Sequence, residues 1–191
     1  MSERHSYLAN VKRVLAWKNT TRQGALGLTT QQPTQQDLLD AFQDNHAHFL
    51  KLINRLNEEQ QQIAFTPEGW SVKDFLSHMS HWKAATLKLI VAYTHYQPLP
   101  PVTPSGDEAD AEAREMDKEL PLPEVRNYWE ETHMHFTHVI ADVLDDDKLK
   151  EEVRSPWDEG VTESLCSIVA SICNHDEKHF ELIEQFFEIG K

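Results

Sequence analysis

The sequence predicts an all-α protein, a four-helix bundle with an N-terminal helical extension and a long connection between helices two and three. Apolar residues recur at helical spacing in four long stretches, and no stretch gives a convincing strand alternation. The 191 residues are 39% hydrophobic and 26% charged, which fits one globular domain with its own core. Four amphipathic helices of this length are typical of a helical bundle.

The first 36 residues are set apart by their charge. Residues 1–36 contain five basic residues and one acidic residue, whereas the whole chain has a formal net charge of −14. A short amphipathic helix is predicted at about residues 7–17, before a stretch rich in Thr and Gln. We therefore divide the chain into a basic N-terminal extension, residues 1–36, and a bundle domain, residues 37–191. We expect the extension to pack on the acidic body, with an interaction arm as the alternative.

The first two long helices follow from an apolar stripe and a start signal. The first helix runs from about Thr34 or Asp37 to Leu56. Its apolar stripe comprises Leu38, Leu39, Phe42, Phe49, Ile53 and Leu56. After the break at "TPEGW", Ser71 and Asp74 form a variant of the capping box, which predicts a second helix over about residues 72–93.

The second half of the chain holds the long connection and two more helices. Residues 97–123 contain six prolines and many acidic residues, and most of this stretch is predicted to be loop. A third helix is predicted over about residues 123–144 and a last one over about residues 162–188. The long connection means that a simple up-down-up-down order of the helices does not follow from the sequence.

Charge and composition exclude several function classes. Binding to nucleic acid or to anionic membranes requires clustered Lys and Arg, which the acidic body lacks. No run approaches the roughly 18 apolar residues of a membrane span. Cys166 and Cys173 are separated by about 10.5 Å of helical rise, too far for a disulfide. We expect a cytoplasmic protein that acts on a small molecule.

Two histidines of the last helix are predicted to face inward. The residues Ile168, Ile172, His175, His179, Leu182 and Phe186 follow one another at intervals of 4, 3, 4, 3 and 4, the spacing of a buried seam. His175 and His179 lie one turn apart on this seam, so both imidazoles can reach one ion. Hydrogen-bonded core histidines are the alternative, but two adjacent buried imidazoles would each need a partner.

Other histidines are ranked by their position on the helical wheel. His78 lies at the edge of the apolar arc of the second helix and is the best candidate for a third ligand. His81 points about 60° further out and is expected at the rim. His46 and His133 fall near apolar stripes, so either is a core residue or joins the site.

The last helix does not match the zincin class of metal site. "HDEKH" differs from the zincin motif H-E-x-x-H, and the 12 residues after His179 leave no room for its distant third ligand. Three protein ligands would leave a position for water or substrate, as in catalytic sites. Imidazole ligands suit zinc, nickel, copper or iron, of which we expect zinc or nickel. No Ser-His-Asp or Cys nucleophile pattern is present, so no catalytic residue is assigned.

The segment "GWSVKDFLSH", Gly69 to His78, and the segment "HDEKH", His175 to His179, together resemble the DinB/YfiT-like superfamily. The resemblance covers about residues 36–187. It implies a four-helix bundle whose metal triad is His78, His175 and His179, the histidines that helical geometry also selects. The basic extension and the long connection depart from the compact members of the superfamily.

The resemblance implies several functions, since the superfamily includes thiol-dependent S-transferases, maleylpyruvate isomerases and DNA-damage-inducible proteins. We expect a metal-dependent enzyme, a hydrolase or a thiol S-transferase, the latter with a low-molecular-weight thiol as co-substrate. The alternative is a non-catalytic binding protein of the same fold for stress response or sequestration. Asp176, Glu177 or Glu181 could orient a ligand imidazole, and Trp70, Trp82 and Trp157 could line a pocket. Such bundles often form homodimers.

Overall fold

The computed structural model describes residues 32–102, 114–158 and 160–187. Its elements are α1 (Gln35–Ile53), α2 (Glu58–Gln62), α3 (Val72–Thr94), α4 (Leu122–Asp142), a 3₁₀ turn (Lys148–Lys150), β1 (Glu152–Arg154), β2 (Thr162–Ser164) and α5 (Leu165–Phe187). The four long helices confirm the predicted all-α bundle. Residues 1–31 lie outside the described residues, so the predicted helix at residues 7–17 and the packing of the extension stay predictions.

The four long helices do not pack in sequence order. Helix α1 packs against α4 and α5, and α3 packs against the same two helices. Consequently α1 and α3 occupy opposite corners of the bundle, although they are consecutive long helices. The long connection after α3 leads to α4, which is its most extensive neighbour. The order is therefore not that of a simple up-down-up-down bundle.

The starts of the long helices are set by side chains at their caps. The hydroxyl of Ser71 accepts a hydrogen bond from the backbone N–H of Asp74, and the Asp74 carboxylate accepts one from the N–H of Ser71. This reciprocal pair confirms the capping box predicted for the second long helix. Thr34 and Asp37 make the same arrangement at the start of α1. Each cap contributes about 1 kcal/mol to stability.

A small hairpin between α4 and α5 was not predicted. Strands β1 and β2 pair antiparallel, with Val153 opposite Glu163. Three-residue strands contain too few residues for an alternating pattern to stand out, and only Val153 of β1 is buried. Because β2 occupies residues 162–164, α5 begins at Leu165 rather than at the predicted Thr162.

A polar layer divides the core into two apolar clusters. One cluster contains Phe42, Leu89, Phe136 and Cys173, and the other contains Phe49, Met79, Trp129 and Phe180. Each long helix carries buried polar residues between these two sets. They are Asn45, Ser80, Lys83, Thr86, Thr132, His133 and Asp176. In the part of the chain that the structure describes, no helix has the length and apolar character to cross a membrane.

Candidate metal centre

Three imidazoles from two helices converge at one point beside the polar layer. The Nε2 atom of His175 lies 2.7 Å from Nε2 of His78 and 3.1 Å from Nε2 of His179. Each of the three residues offers one ligand nitrogen, and these nitrogens lie within 4.8 Å of one another. The structure thus brings together His78, His175 and His179, the three residues that the sequence selects.

The helices hold the three rings in place. His78 is only 3% exposed and lies on α3, two turns after the Ser71 cap, so the capping box fixes the start of the helix that carries it. His175 and His179 lie one turn apart on the neighbouring helix α5. The ring of Phe75 lies 4.7 Å from that of His179, and the ring of Trp70 lies 5.2 Å from that of His78.

Two members of the cluster favour the neutral imidazole. Burial, together with repulsion from the neighbouring His175 and His179, lowers the pKa of His78 to about 2. Burial, together with the adjacent His175, lowers the pKa of His179 to about 3. Neutral imidazole is the form that binds metal, so at neutral pH these rings are ready to act as ligands.

The geometry of the cluster fits a metal ion. Two imidazole nitrogens bound to a tetrahedral zinc ion lie about 3.3 Å apart, close to the 2.7 and 3.1 Å between the Nε2 atoms here. The other ring nitrogens of His175 and His179 have no hydrogen-bond partner among the described residues. Three Nε2 atoms that converge in this way are the arrangement expected of an ion site.

The predicted buried seam of α5 is correct only in its first half. Ile168 and Ile172 are buried, but Leu182 is 46% exposed and Phe186 is 50% exposed. The buried stripe runs one residue later, through Val169, Cys173, Asp176, Phe180 and Ile183. The seam on which the histidines lie therefore leaves the core after His179 and borders a cavity.

This cavity has a volume of about 1130 Å³ and opens beside His78 and His179. Its apolar wall includes Phe65, Trp70, Phe75, Leu182 and Phe186, and its charged residues are Glu68, Asp74, Arg114, Glu115 and Lys118. The charges are largely paired. Arg114 donates to Asp74 and to the carbonyl of Gly69, and its guanidinium lies 5.9 Å from the centre of the Trp70 ring. The Nζ atom of Lys118 lies 3.4 Å from Oε1 of Glu115.

His46 and His133 do not join the cluster. Their rings stack on each other with centroids 3.9 Å apart, and His46 also stacks on Trp129. Burial lowers the pKa of His46 to about 4 and that of His133 to about 3. His133 is a buried residue of the polar layer, and His46 is half-buried beside it. His81 lies at the rim, as predicted, where its Nε2 contacts Asp117 at 3.1 Å.

The structure places Asp176, one of the three acids that could orient a ligand imidazole, in the interior. Asp176 is 3% exposed and forms an ion pair with Lys83 of α3, which is 1% exposed. One signal could have revealed it, because Val169, Cys173, Asp176, Phe180 and Ile183 also have seam spacing. Of the three acids considered as supports, Asp176 is the buried one, and Glu181 is exposed.

The tryptophans and cysteines divide between the cavity and the core. Trp70 lines the cavity, whereas Trp82 packs against Trp157 with ring centroids 5.5 Å apart. Cys166 and Cys173 are both buried, unbridged thiols. Burial raises the pKa of Cys173 far above its usual range, so its thiol is not a nucleophile.

A sequence comparison decides the family to which this fold and cluster belong. The family model of the DinB superfamily matches residues 19–183. The chain belongs to the DinB superfamily. No curated protein sequence matches the chain significantly.

Two solved structures resemble this DinB protein. An uncharacterised protein from Escherichia coli UTI89 is 16% identical, with a TM-score of 0.63 over 81% of this chain and 93% of that one. YfiT from Bacillus subtilis is 14% identical, with a TM-score of 0.62 over 86% of this chain and 87% of that one. YfiT is described as a probable metal-dependent hydrolase with an unusual four-helix bundle topology. At these identities the likeness establishes the fold alone.

Proposed function

We propose that this DinB protein is a metal-dependent hydrolase of small molecules, with His78, His175 and His179 as its metal ligands. The observation that carries the proposal is the convergence of three imidazoles beside a large cavity. Three protein ligands leave a coordination position for water or substrate, which is typical of catalytic sites. The description of YfiT as a probable metal-dependent hydrolase supports the same reaction class.

In this proposal the three histidines would hold a metal that provides the nucleophile from a bound water. When bound, a divalent ion of the zinc or nickel type would lower the pKa of a coordinated water and polarise the substrate. The chain itself keeps His78 and His179 neutral through burial, and it packs Trp70 and Phe75 against these two rings. Its own thiols take no part, since both cysteines are buried.

The cavity favours a substrate with an apolar or aromatic group. Phe65 and Phe186 stack with ring centroids 4.9 Å apart, and half of the Phe186 side chain remains exposed. The nearby cations Arg114 and Lys118 lie within ion-pair distance of Asp74 and Glu115, which partly neutralise them. Apolar surface that a small ligand can cover is the usual source of affinity in such sites.

Elemental analysis and turnover test the proposal together. Protein purified without an affinity tag or chelator is expected to contain about one equivalent of divalent metal. It should then hydrolyse members of a panel of aryl and alkyl esters and amides, and removal of the metal or His175→Ala should abolish turnover. Phe186→Ser should raise KM more than it lowers kcat.

Two other outcomes identify the alternatives. Turnover that requires an added low-molecular-weight thiol would assign the protein to the S-transferases. Stoichiometric metal without turnover under either condition would favour a binding or sequestration protein.

A further inference from the structure

Behind His175 lies a buried ion pair that the hydrolase proposal does not use. Lys83 of α3 and Asp176 of α5 pair through Nζ and Oδ2, with side chains 1% and 5% exposed. The second carboxylate oxygen, Oδ1, lies 3.6 Å from Nδ1 of His175. Neither Asp176 Oδ1 nor His175 Nδ1 has a hydrogen-bond partner among the described residues, and both atoms are buried.

The ion pair is not explained by folding alone. Removing two charges from water costs free energy that their attraction often fails to offset, so apolar residues of similar size would fold as well. One oxygen of the Asp176 carboxylate contacts Lys83, and the other faces Nδ1 of His175. The ion pair therefore adjoins the imidazole whose Nε2 contacts both other members of the cluster.

The tautomer of His175 links the pair to the cluster. For Nε2 to act as a ligand, the ring proton must be on Nδ1. A negative charge beside Nδ1 favours that tautomer, and ligand histidines commonly have a carboxylate in this position. Lys83 keeps Asp176 in place through the buried ion pair between its Nζ and Oδ2 of the carboxylate.

We propose that Asp176, held by Lys83, is a positioning residue that keeps His175 in the Nδ1–H tautomer with Nε2 presented to the metal. The metal part of this inference rests on the proposed function, whereas the tautomer part concerns the protein without metal. Asp176 acts through His175 and makes no contact with substrate.

Two variants test the role, and one serves as a matched control. Asp176→Asn removes the charge at constant size but leaves Lys83 unpaired in the interior. The double variant Lys83→Met with Asp176→Asn removes both charges, so it keeps the test valid if the single variant does not fold. The control is Asp117→Asn, because Asp117 is also a buried carboxylate that contacts a histidine, His81, outside the cluster.

Two readouts are made on each folded variant. Zinc affinity is measured by competition with a chromophoric chelator. The tautomer of His175 is measured from its ring ¹⁵N shifts in zinc-free protein, with assignment from the spectrum of His175→Gln. We expect both Asp176 variants to bind zinc roughly 10–100-fold more weakly and to lose the Nδ1–H preference of His175. Asp117→Asn should change neither quantity.

The inference is overturned if the folded double variant keeps the wild-type zinc affinity and the wild-type ¹⁵N shifts of His175. If the wild-type protein itself binds no zinc, the proposed metal function fails. The ¹⁵N shifts of the zinc-free protein then still decide whether Asp176 sets the tautomer.

Discussion

His78 and His175, which are 97 residues apart in the chain, bring their Nε2 atoms to within 2.7 Å of each other. They lie on the adjacent helices α3 and α5, and His179 completes the cluster one turn further along α5. Two imidazole nitrogens at this distance can share at most one proton. A metal ion bound by both nitrogens therefore suits the contact better than protonation of both rings.

The first prediction concerns the ligands. His175→Ala should lower zinc affinity by more than about 100-fold, exceeding the loss expected for an outer partner, because it removes one of three ligand nitrogens. Titration calorimetry or chelator competition measures the change. His81→Ala is the control, since His81 lies one turn from His78 on the same helix but contacts Asp117. Equal losses in both variants would contradict the assigned ligand set.

A second prediction concerns metal removal. The two apolar clusters are formed without the three histidines, so the protein should remain helical when a chelator removes the metal. It should nevertheless melt at lower temperature, because free metal at 1,000 times Kd stabilises the folded state by about 4 kcal/mol. Circular dichroism with and without chelator measures both effects. Loss of helicity on chelation at 25 °C would instead assign the metal a structural role.

The long helices could be predicted because their apolar residues repeat over several turns. The structure has α3 at Val72–Thr94, within one residue of the predicted end, and the Ser71 cap marks its start. The hairpin could not be found in this way, since a three-residue strand has no measurable period. The order of the helices around the bundle depends on long-range packing, which periodicity does not encode.

The candidate site shows where periodicity is ambiguous. On α5 two stripes one residue apart have the same spacing, and the predicted seam follows the one with the two histidines, whereas the buried stripe contains Asp176. Asp176 is in the interior only because Lys83 of another helix neutralises it. A partner 93 residues away in sequence is not visible in the pattern of one helix. The triad is nevertheless predictable, because His175 and His179 lie one turn apart on one stripe of α5 and His78 lies at the edge of the apolar arc of α3.

A third prediction follows from the stacked pair His46 and His133. Burial lowers the pKa of His133 from 6.5 to about 3. Between these values the unfolded chain binds a proton that the folded protein excludes, so stability falls as the pH drops below 6.5. The contribution of His133 is fully present above pH 6.5 and declines by at most about 1.4 kcal/mol per pH unit below it.

Denaturant unfolding at several pH values between 4 and 7 measures this slope in metal-free protein. In His133→Gln the slope should be shallower than in the wild type, because the substituted side chain does not titrate. His135→Gln is the matched control on the same helix, since His135 is exposed. A slope unchanged by His133→Gln would mean that this histidine is protonated in the folded state as readily as in the unfolded one.

The last prediction concerns the turn that forms one edge of the cavity. Gly69 has a φ angle of +79°, in the left-handed region, and its carbonyl accepts a hydrogen bond from Arg114. An added Cβ would meet its nearest atom, Nη2 of Arg114, at 3.9 Å, an ordinary contact. Gly69→Ala should therefore destabilise the protein through backbone strain alone, by about 1 kcal/mol.

Gly160→Ala is the control for this substitution. An added Cβ at Gly160 would also have room, with the nearest atom at 3.5 Å, and the backbone there is not in the left-handed region. Its free energy of unfolding should change little in denaturant titrations. If the two alanine variants are equally stable, strain at Gly69 is absent. A residue forced out of the left-handed region would rotate the carbonyl of position 69 away from Arg114. A destabilisation by Gly69→Ala several times larger than expected would therefore mean that this hydrogen bond is lost as well.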